Sequence, residues 1–159
     1  FRSPGHFDGV ITIVARYLEL IEPEYMVLGE KDWQQLALIS NYVAQNKIST
    51  KIIPAPTIRA KNGLALSSRN AQLSSSGLDI ASNIYTALYK ASQEENLDKA
   101  CRVGVELLTS TPGIELDYFE VINSSTFKVD HETGDRIIFA GSVEGVRLID
   151  NIAVNREMR

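Results

Sequence analysis

Two stretches carry side chains suited to binding a polyphosphate. In Tyr25-Met26-Val27-Leu28-Gly29-Glu30-Lys31-Asp32-Trp33-Gln34-Gln35 a strand-length apolar run ends at a glycine, followed by charges and then a helical pattern. The crevice outside the carboxyl ends of parallel strands exposes helix N-terminal N–H groups, and a glycine there lets a ligand approach the backbone. Lys31 offers three donors to phosphate oxygens, Asp32 accepts from ribose hydroxyls, and Gln34 or Gln35 can do both for a small polar acid. The second stretch, Leu64-Ala65-Leu66-Ser67-Ser68-Arg69-Asn70, follows Gly63 and sets two adjacent hydroxyls beside a guanidinium in a segment expected to be mobile. Charge-assisted hydrogen bonds from such a trio suit phosphate. Neither string alone fixes a ligand, because charges after a strand-ending glycine and Ser-Ser-Arg in a loop are both common. His6 has the same ambiguity: it can donate to a phosphate or to ordinary backbone partners. His131, in the polar 130–135 turn, reads as solvated.

The elements that must position these residues follow from periodicity. Residues 2–9 read as a Gly/Pro-punctuated loop, and Val10, Ile13, Val14, Tyr17, Leu18 and Ile21 predict one inward helical face ending before Pro23. A strand at 25–28, a helix at 32–45 with Leu36, Ile39 and Val43 inward, and a strand at 50–53 form a parallel βαβ unit. Two strands are few for a parallel sheet, which is covered on both faces, so further strands are expected to pair with them. Pro54 and Pro56 end that region, and 57–63 reads as a hinge that would close residues 67–69 over the Gly29 crevice. Beyond it, the serines at 74–76 offer an N-cap for a helix to about residue 92, with Ile80, Ile84, Leu88 and Ala91 on one face. Asn96 caps a helix at 97–110 that uses Ala100, Leu107 and Leu108. Strands at 115–122, 136–140 and 146–152 follow, the last two joined through 141–145 as a hairpin, which makes this part α+β.

The composition narrows the function class. With 159 residues, 44% hydrophobic and 23% charged, the chain can bury a core in one domain or two small ones. A net charge of −4 with scattered Lys and Arg argues against nucleic acid or an anionic membrane as partner. No apolar stretch approaches the roughly 20 residues of a membrane span. Cys101 is the only cysteine, which suits a reducing cytoplasm, and two histidines with one cysteine are expected to be unable to make a dedicated zinc cluster, so no metal site is expected.

Four motifs in order, Pro4-Gly5-His6-Phe7-Asp8-Gly9-Val10, Gly29-Glu30-Lys31-Asp32-Trp33-Gln34-Gln35-Leu36, Gly63-Leu64-Ala65-Leu66-Ser67-Ser68-Arg69-Asn70 and Arg147-Leu148-Ile149-Asp150-Asn151, resemble the pantoate-beta-alanine ligase (pantothenate synthetase) family across the whole chain. The resemblance implies an α/β fold: a remnant of a Rossmann-like nucleotidyl-transferase domain at 1–56, then a small α+β lid domain at 57–159. It implies that ATP and pantoate form a pantoyl adenylate, releasing pyrophosphate, and that beta-alanine then displaces AMP. ATP would be a substrate, with Mg²⁺ and no tightly bound cofactor, and the full-length enzyme a cytoplasmic homodimer. By position, Gly29 and Asp32 hold the ribose, Lys31 the phosphates with Glu30 beside them, and Gln35 the pantoate. Ile58 and Leu66 flank adenine through their backbones. Ser67, Ser68 and Arg69 resemble the mobile Lys-Met-Ser-Lys-Ser loop of class I aminoacyl-tRNA synthetases. Lys31, Ser67, Ser68 and Arg69 are the catalytic candidates, with Lys31 and Arg69 neutralising charge as pyrophosphate leaves.

The departures set the remaining expectations. The family's histidine-glycine-histidine segment, whose histidines act on the α-phosphate, has no counterpart here, nor does a glutamine beyond it that helps hold pantoate. Together with Phe1 in place of Met, this leads to the expectation of a later part of a longer protein, not a competent synthetase alone. Arg2-Ser3-Pro4 stands for the usual Ser-Arg-Pro, so no arginine role passes to Arg2, and Trp33 stands where smaller aromatics are frequent. The alternatives are a catalytically incompetent nucleotide-binding or assembly module of the same fold and, less favoured by Gln34, Gln35 and residues 66–69, a cytidylyl-transferase.

Overall fold

The apolar run at 25–28 pairs with the strand that follows it in the chain, and the register is set by the residues just before each strand. In the computed structural model, which describes residues 6–155 and side chains from residue 9, β1 (Tyr25–Gly29) and β2 (Lys51–Ala55) are parallel, from Tyr25 opposite Lys51 to Gly29 opposite Ala55. The buried Thr50 hydroxyl donates to the Pro23 carbonyl at 2.7 Å, and the Lys51 N–H donates to the Glu24 carbonyl at 2.9 Å. Pro54 lies inside β2, opposite Leu28, and does not end it. In a two-stranded sheet β2 has an open edge, and a residue without an N–H is tolerated there. The chain divides into two units, Phe1–Pro56 and Thr57–Arg159.

In the first unit α1 (His6–Ile21) precedes β1, and α2 (Trp33–Gln45) follows a 3-10 turn at Glu30–Asp32. The helix begins within the expected 2–9 loop; residues 2–5 and the His6 side chain lie outside the described residues. The core is Leu18, Ile39 and Val43, with Val10, Ile11, Val14, Met26, Leu28 and Ile52 against it. The inward face of α1 is therefore Val10, Ile11, Val14 and Leu18, whereas the expected Ile13, Tyr17 and Ile21 are exposed. The helix carries two apolar stripes, and α2 covers one. On the sheet, alternation leaves Tyr25 and Val27 exposed on one face while Met26 and Leu28 turn to the core.

The second unit packs α3 (Ser75–Ser92) and α4 (Leu97–Thr109) on an antiparallel sheet ordered β3 (Ile114–Ile122), β4 (Arg136–Val143), β5 (Val146–Ala153). Serine and asparagine start the helices as their chemistry requires: Ser74 Oγ accepts from the Gly77 N–H at 3.0 Å and Asn96 Oδ1 from the Lys99 N–H at 2.8 Å. Ala81, Ile84, Ala87, Leu88 and Ala91 of α3 and Ala100, Cys101 and Leu108 of α4 meet Phe119, Val121, Ile137, Phe139 and Val143 of the sheet. A Cβ on Gly104 would sit 2.1 Å from the Phe119 ring, so the missing side chain is what lets α4 lie on the sheet. The hairpin turn is shorter than expected. Glu144 and Gly145, both at positive φ, make a primed two-residue turn, and Gly141, Ser142 and Val143 belong to β4.

Residues 57–63 are not a free linker. Arg59 bridges Ala65 in antiparallel fashion, the Ala60 N–H donates to the Leu64 carbonyl and the Leu66 N–H to the Ile58 carbonyl, both at 2.9 Å. Arg59 also grips Asp150 with two bonds, Nη1–Oδ2 at 2.6 Å and Nη2–Oδ1 at 3.0 Å, and its guanidinium lies 4.3 Å from the centre of the Tyr85 ring. Asp150 is 5% exposed.

Removing one member of a buried pair strands the other charge, so Asp150→Ala is expected to lower unfolding free energy by about 3–5 kcal/mol in urea titration. A loss under about 1 kcal/mol would show that the pair is not what fixes this segment. Glu144 provides a pH-dependent counterpart. Its carboxylate accepts from the Ser74 hydroxyl at 2.5 Å and the Ser74 N–H at 2.8 Å, and these bonds, the hydroxyl first, hold its pKa below the ordinary 4.5. A depressed carboxylate contributes stability that is present above its unfolded-state pKa and is lost as pH falls through the folded one. Glu144→Gln is expected to lose less thermal midpoint than the unsubstituted chain between about pH 6 and about pH 3; equal losses would refute it.

Candidate functional site

The end of β1 delivers five of the sequence-predicted residues to one place within the first unit. Gly29 closes the strand, Glu30, Lys31 and Asp32 form the 3-10 turn, and Gln35 stands half-buried in the first turn of α2. Gly29 has φ −71° and ψ 132°, ordinary extended backbone that any residue adopts, and a Cβ there would meet no protein atom within 4 Å. Neither conformation nor internal packing requires glycine at this position. The space over its Cα is open to whatever binds. Lys31, its side chain 20% exposed, holds its ammonium 3.8 Å from the Asp32 carboxylate.

In the second unit Ile58 and Leu66 are exposed and adjacent, since the Leu66 N–H donates to the Ile58 carbonyl. Ser67 caps a 3-10 turn at Ser68–Gln72, its hydroxyl accepting from the Arg69 N–H at 3.3 Å. The expected mobile loop is instead tied down on both sides. Asn70 Nδ2 donates to the Ala65 carbonyl at 3.0 Å, and Arg69 Nη1 donates to the Arg147 carbonyl at 3.0 Å, while Arg147 Nε pairs with Asp117 at 3.1 Å. Ser68 and Arg69 remain exposed. The turn thus presents a hydroxyl and a guanidinium from a fixed backbone, an arrangement able to bind phosphate oxygens.

Two features escaped the sequence reading. Arg59, inside the expected hinge, is the anchor described above; the only signal was that Asp150 and Asn151 stood in a motif with no chemistry assigned to it. His131 is not solvated: it is 30% exposed, with Nδ1 at 2.8 Å from Asp98 Oδ1 and Nε2 at 3.3 Å from Glu120 Oε2 and 3.6 Å from Cys101 Sγ. Burial works against its charged form, but the bonds and charges of Asp98 and Glu120 outweigh that and raise its pKa above the ordinary 6.5. Burial pushes the Cys101 thiol up, and Glu120 and Asp98 add to the rise against a lowering bond to the Val121 backbone.

Comparison with known proteins places these observations. A family model described as "Pantoate-beta-alanine ligase" matches residues 1–153. "Pantothenate synthetase" of Cytophaga hutchinsonii is 38% identical over 160 residues, covering 95% of this chain and 56% of the relative. The protein of the same name from Mycobacterium sp. (strain KMS) is 41% identical over 158 residues, covering 96% and 49%. Among solved structures, pantothenate synthetase from Thermus thermophilus superposes with a TM-score of 0.89 at 36% identity, covering 95% of this chain and 57% of that one. Pantoate-beta-alanine ligase from Francisella tularensis, "Complexed with Beta-gamma ATP and Beta-alanine", gives 0.70 at 37% identity, covering 94% and 51%. The chain spans about half the length of the curated relatives it matches. No helix among the described residues is long and apolar enough to cross a membrane.

The open space at Gly29 has a direct consequence. Gly29→Ala is expected to leave folding unharmed, between neutral and about 1 kcal/mol stabilising, because φ is compatible and nothing is displaced. A destabilisation above about 1 kcal/mol in urea titration would mean that protein packing, not open space, dictates the glycine.

Proposed function

The chain belongs to the pantoate-beta-alanine ligase family, and from that premise we propose that it takes part in the ATP-dependent condensation of pantoate with beta-alanine through a pantoyl adenylate. The observation that carries this reading is the coincidence of the family match over residues 1–153 with an unfilled Gly29 beside Lys31 at a strand end. The pantoate carboxylate oxygen attacks the α-phosphorus of ATP, pyrophosphate leaves, and the beta-alanine amine then attacks the acyl carbon and expels AMP. Gly29 lets the nucleotide lie against the backbone, with Asp32 accepting from the ribose and Glu30 beside it. Lys31, Ser67, Ser68 and Arg69 are the candidates for phosphate charge, which grows on the leaving oxygen as pyrophosphate departs. Gln35 holds pantoate by donating and accepting at once. The Leu66 N–H donates to the Ile58 carbonyl, which holds together the two backbone stretches assigned to flank adenine. Mg²⁺, which uses one or two carboxylates plus phosphate oxygens, fits this setting as part of the ATP complex, with Glu30 and Asp32 the nearby acids.

The 159 residues alone do not sustain turnover in this proposal. The exposed Tyr25 and Val27 on one face of a two-stranded parallel sheet, whose edges pair with no further strand among the described residues, support completion of the nucleotide unit by further strands. The full enzyme is a cytoplasmic homodimer in this reading, in keeping with the lone Cys101.

Calorimetry with ATP and pantoate, beside an AMP-release assay, tests both parts. The chain alone is expected to bind ATP weakly and release no AMP; turnover like that of a full-length synthetase would overturn the incompleteness. ATP binding without AMP release in a protein that carries the histidine-glycine-histidine segment would favour a non-catalytic module. In a catalytically competent protein, Lys31→Ala or Arg69→Ala is expected to slow single-turnover adenylate formation by about 10²–10³-fold, roughly 2.7–4 kcal/mol of barrier. Gln35→Ala is expected instead to raise the KM for pantoate. Unchanged adenylate formation in Lys31→Ala would refute its role.

A further inference from the structure

The cluster at His131 has the atoms and spacings of a metal site. Cys101 comes from α4, Glu120 from β3 and His131 from the segment between β3 and β4, and their ligand atoms all lie within 4.8 Å of one another. Tetrahedral zinc, with Zn–S about 2.3 Å and Zn–N or Zn–O about 2.0–2.1 Å, sets sulfur about 3.6 Å from nitrogen and nitrogen about 3.3 Å from oxygen. The observed separations are 3.6 Å for Cys101 Sγ to His131 Nε2 and 3.3 Å for His131 Nε2 to Glu120 Oε2. The half-exposed Glu120 can rotate to adjust the remaining sulfur–oxygen pair.

The surroundings also match what a zinc ligand needs. A ligating histidine usually donates its other ring N–H to a carboxylate, which fixes the tautomer and aims the free lone pair at the metal. Asp98 stands 2.8 Å from Nδ1, and it lies one helical turn before Cys101 on the same face of α4. The loop is braced where it presents the ring: Asp130 Oδ1 accepts from the N–H groups of Glu132 at 3.0 Å and Thr133 at 2.7 Å. Cys101 is 8% exposed, so it is shielded from bulk solvent, while His131 and Glu120 leave a way in.

We propose that Cys101, Glu120 and His131 bind a zinc ion, with Asp98 as the orienting partner of His131 and water in the fourth position. Binding releases the thiol proton of Cys101 to solvent, together with a proton from Nε2 where the imidazole is charged, and no electron transfer is involved. The ion would hold the segment after β3 on α4, and the proposal does not depend on the ligase reading.

The test uses purified protein stripped with a chelator and titrated with Zn²⁺ or Co²⁺ alone. One equivalent of metal is expected, with a thiolate-to-cobalt charge-transfer band in the near ultraviolet and a zinc-dependent rise in thermal midpoint. Cys101→Ser is expected to abolish the band, His131→Gln to abolish the thermal rise, and Asp98→Asn to retain stoichiometry with about 10–100-fold weaker binding. Circular dichroism of the metal-free variants separates lost ligation from lost folding. Because Asp98→Asn removes no ligand, its weaker binding with unchanged stoichiometry reports the site even if Cys101→Ser does not fold. No saturable binding by the unsubstituted protein, or binding unaffected in His131→Gln, would overturn the proposal and leave a proton-linked cluster.

Discussion

Much of the second unit hangs on the Arg59 guanidinium. It is bound by both oxygens of Asp150, by the carbonyls of Gly63 at 3.2 Å and Asn151 at 3.3 Å, and lies over the Tyr85 ring. Taking a charge pair out of water is costly, and it is sustained here because nearly every polar direction of both groups has a partner. Asp150 Oδ1 also accepts from the Asn151 N–H at 2.8 Å. This junction locates the chain from Ile58 to Leu66 against β5, and the 3-10 turn carrying Ser68 and Arg69 follows at once. Arg69 then reaches the Arg147 carbonyl on the same strand. The candidate phosphate-facing turn is therefore fixed to β5 at two points, which is the pre-organisation that electrostatic catalysis requires.

The elements legible in the sequence were those whose reasons are local. Ser74 and Asn96 announce their helices, and the spacing of Leu36, Ile39 and Val43 identifies the buried face of α2. Failures came where local pattern admits two answers. In α1, Val10, Val14 and Leu18 form one apolar stripe and Ile13, Tyr17 and Leu20 another, and periodicity cannot tell which one α2 covers. Pro54 and Pro56 read as a boundary because proline cannot join the interior of a sheet, yet an open strand edge accepts it. The fixing of 57–63 depends on Asp150, 91 residues from Arg59, a separation at which no local signal operates.

The same division runs through the candidate site residues. Gly29, Lys31, Asp32 and Gln35 are close together in the chain, as are Ser67, Ser68 and Arg69, so each set could be recognised before any fold was known. The structure adds their backbone setting: an ordinary strand end in one case, a capped and tethered turn in the other. The cluster at Cys101 is the opposite case. Its members sit at positions 98, 101, 120 and 131, and counting only histidines and cysteines overlooked the carboxylates that complete it.

Glycines show how a ligand's demand can be told from the fold's. Gly104 is required by the Phe119 ring, Gly141 by the Glu115 carbonyl at 2.6 Å from where a Cβ would lie, and Gly63 by Tyr85 and by a φ of +88°. Each would be retained in a protein that bound nothing. Gly29 has no such reason, for its φ is unexceptional and a Cβ would enter empty space. Glycine weakens a strand relative to alanine, so keeping it at the end of β1 carries a cost in chain entropy that nothing inside the protein recovers. A molecule lying against that backbone, with Lys31 within reach of its negative charge, would supply the missing reason. Among the described residues that space stays unfilled, as it also does at Gly9, and it is the neighbouring Lys31 that singles out the strand end as a candidate.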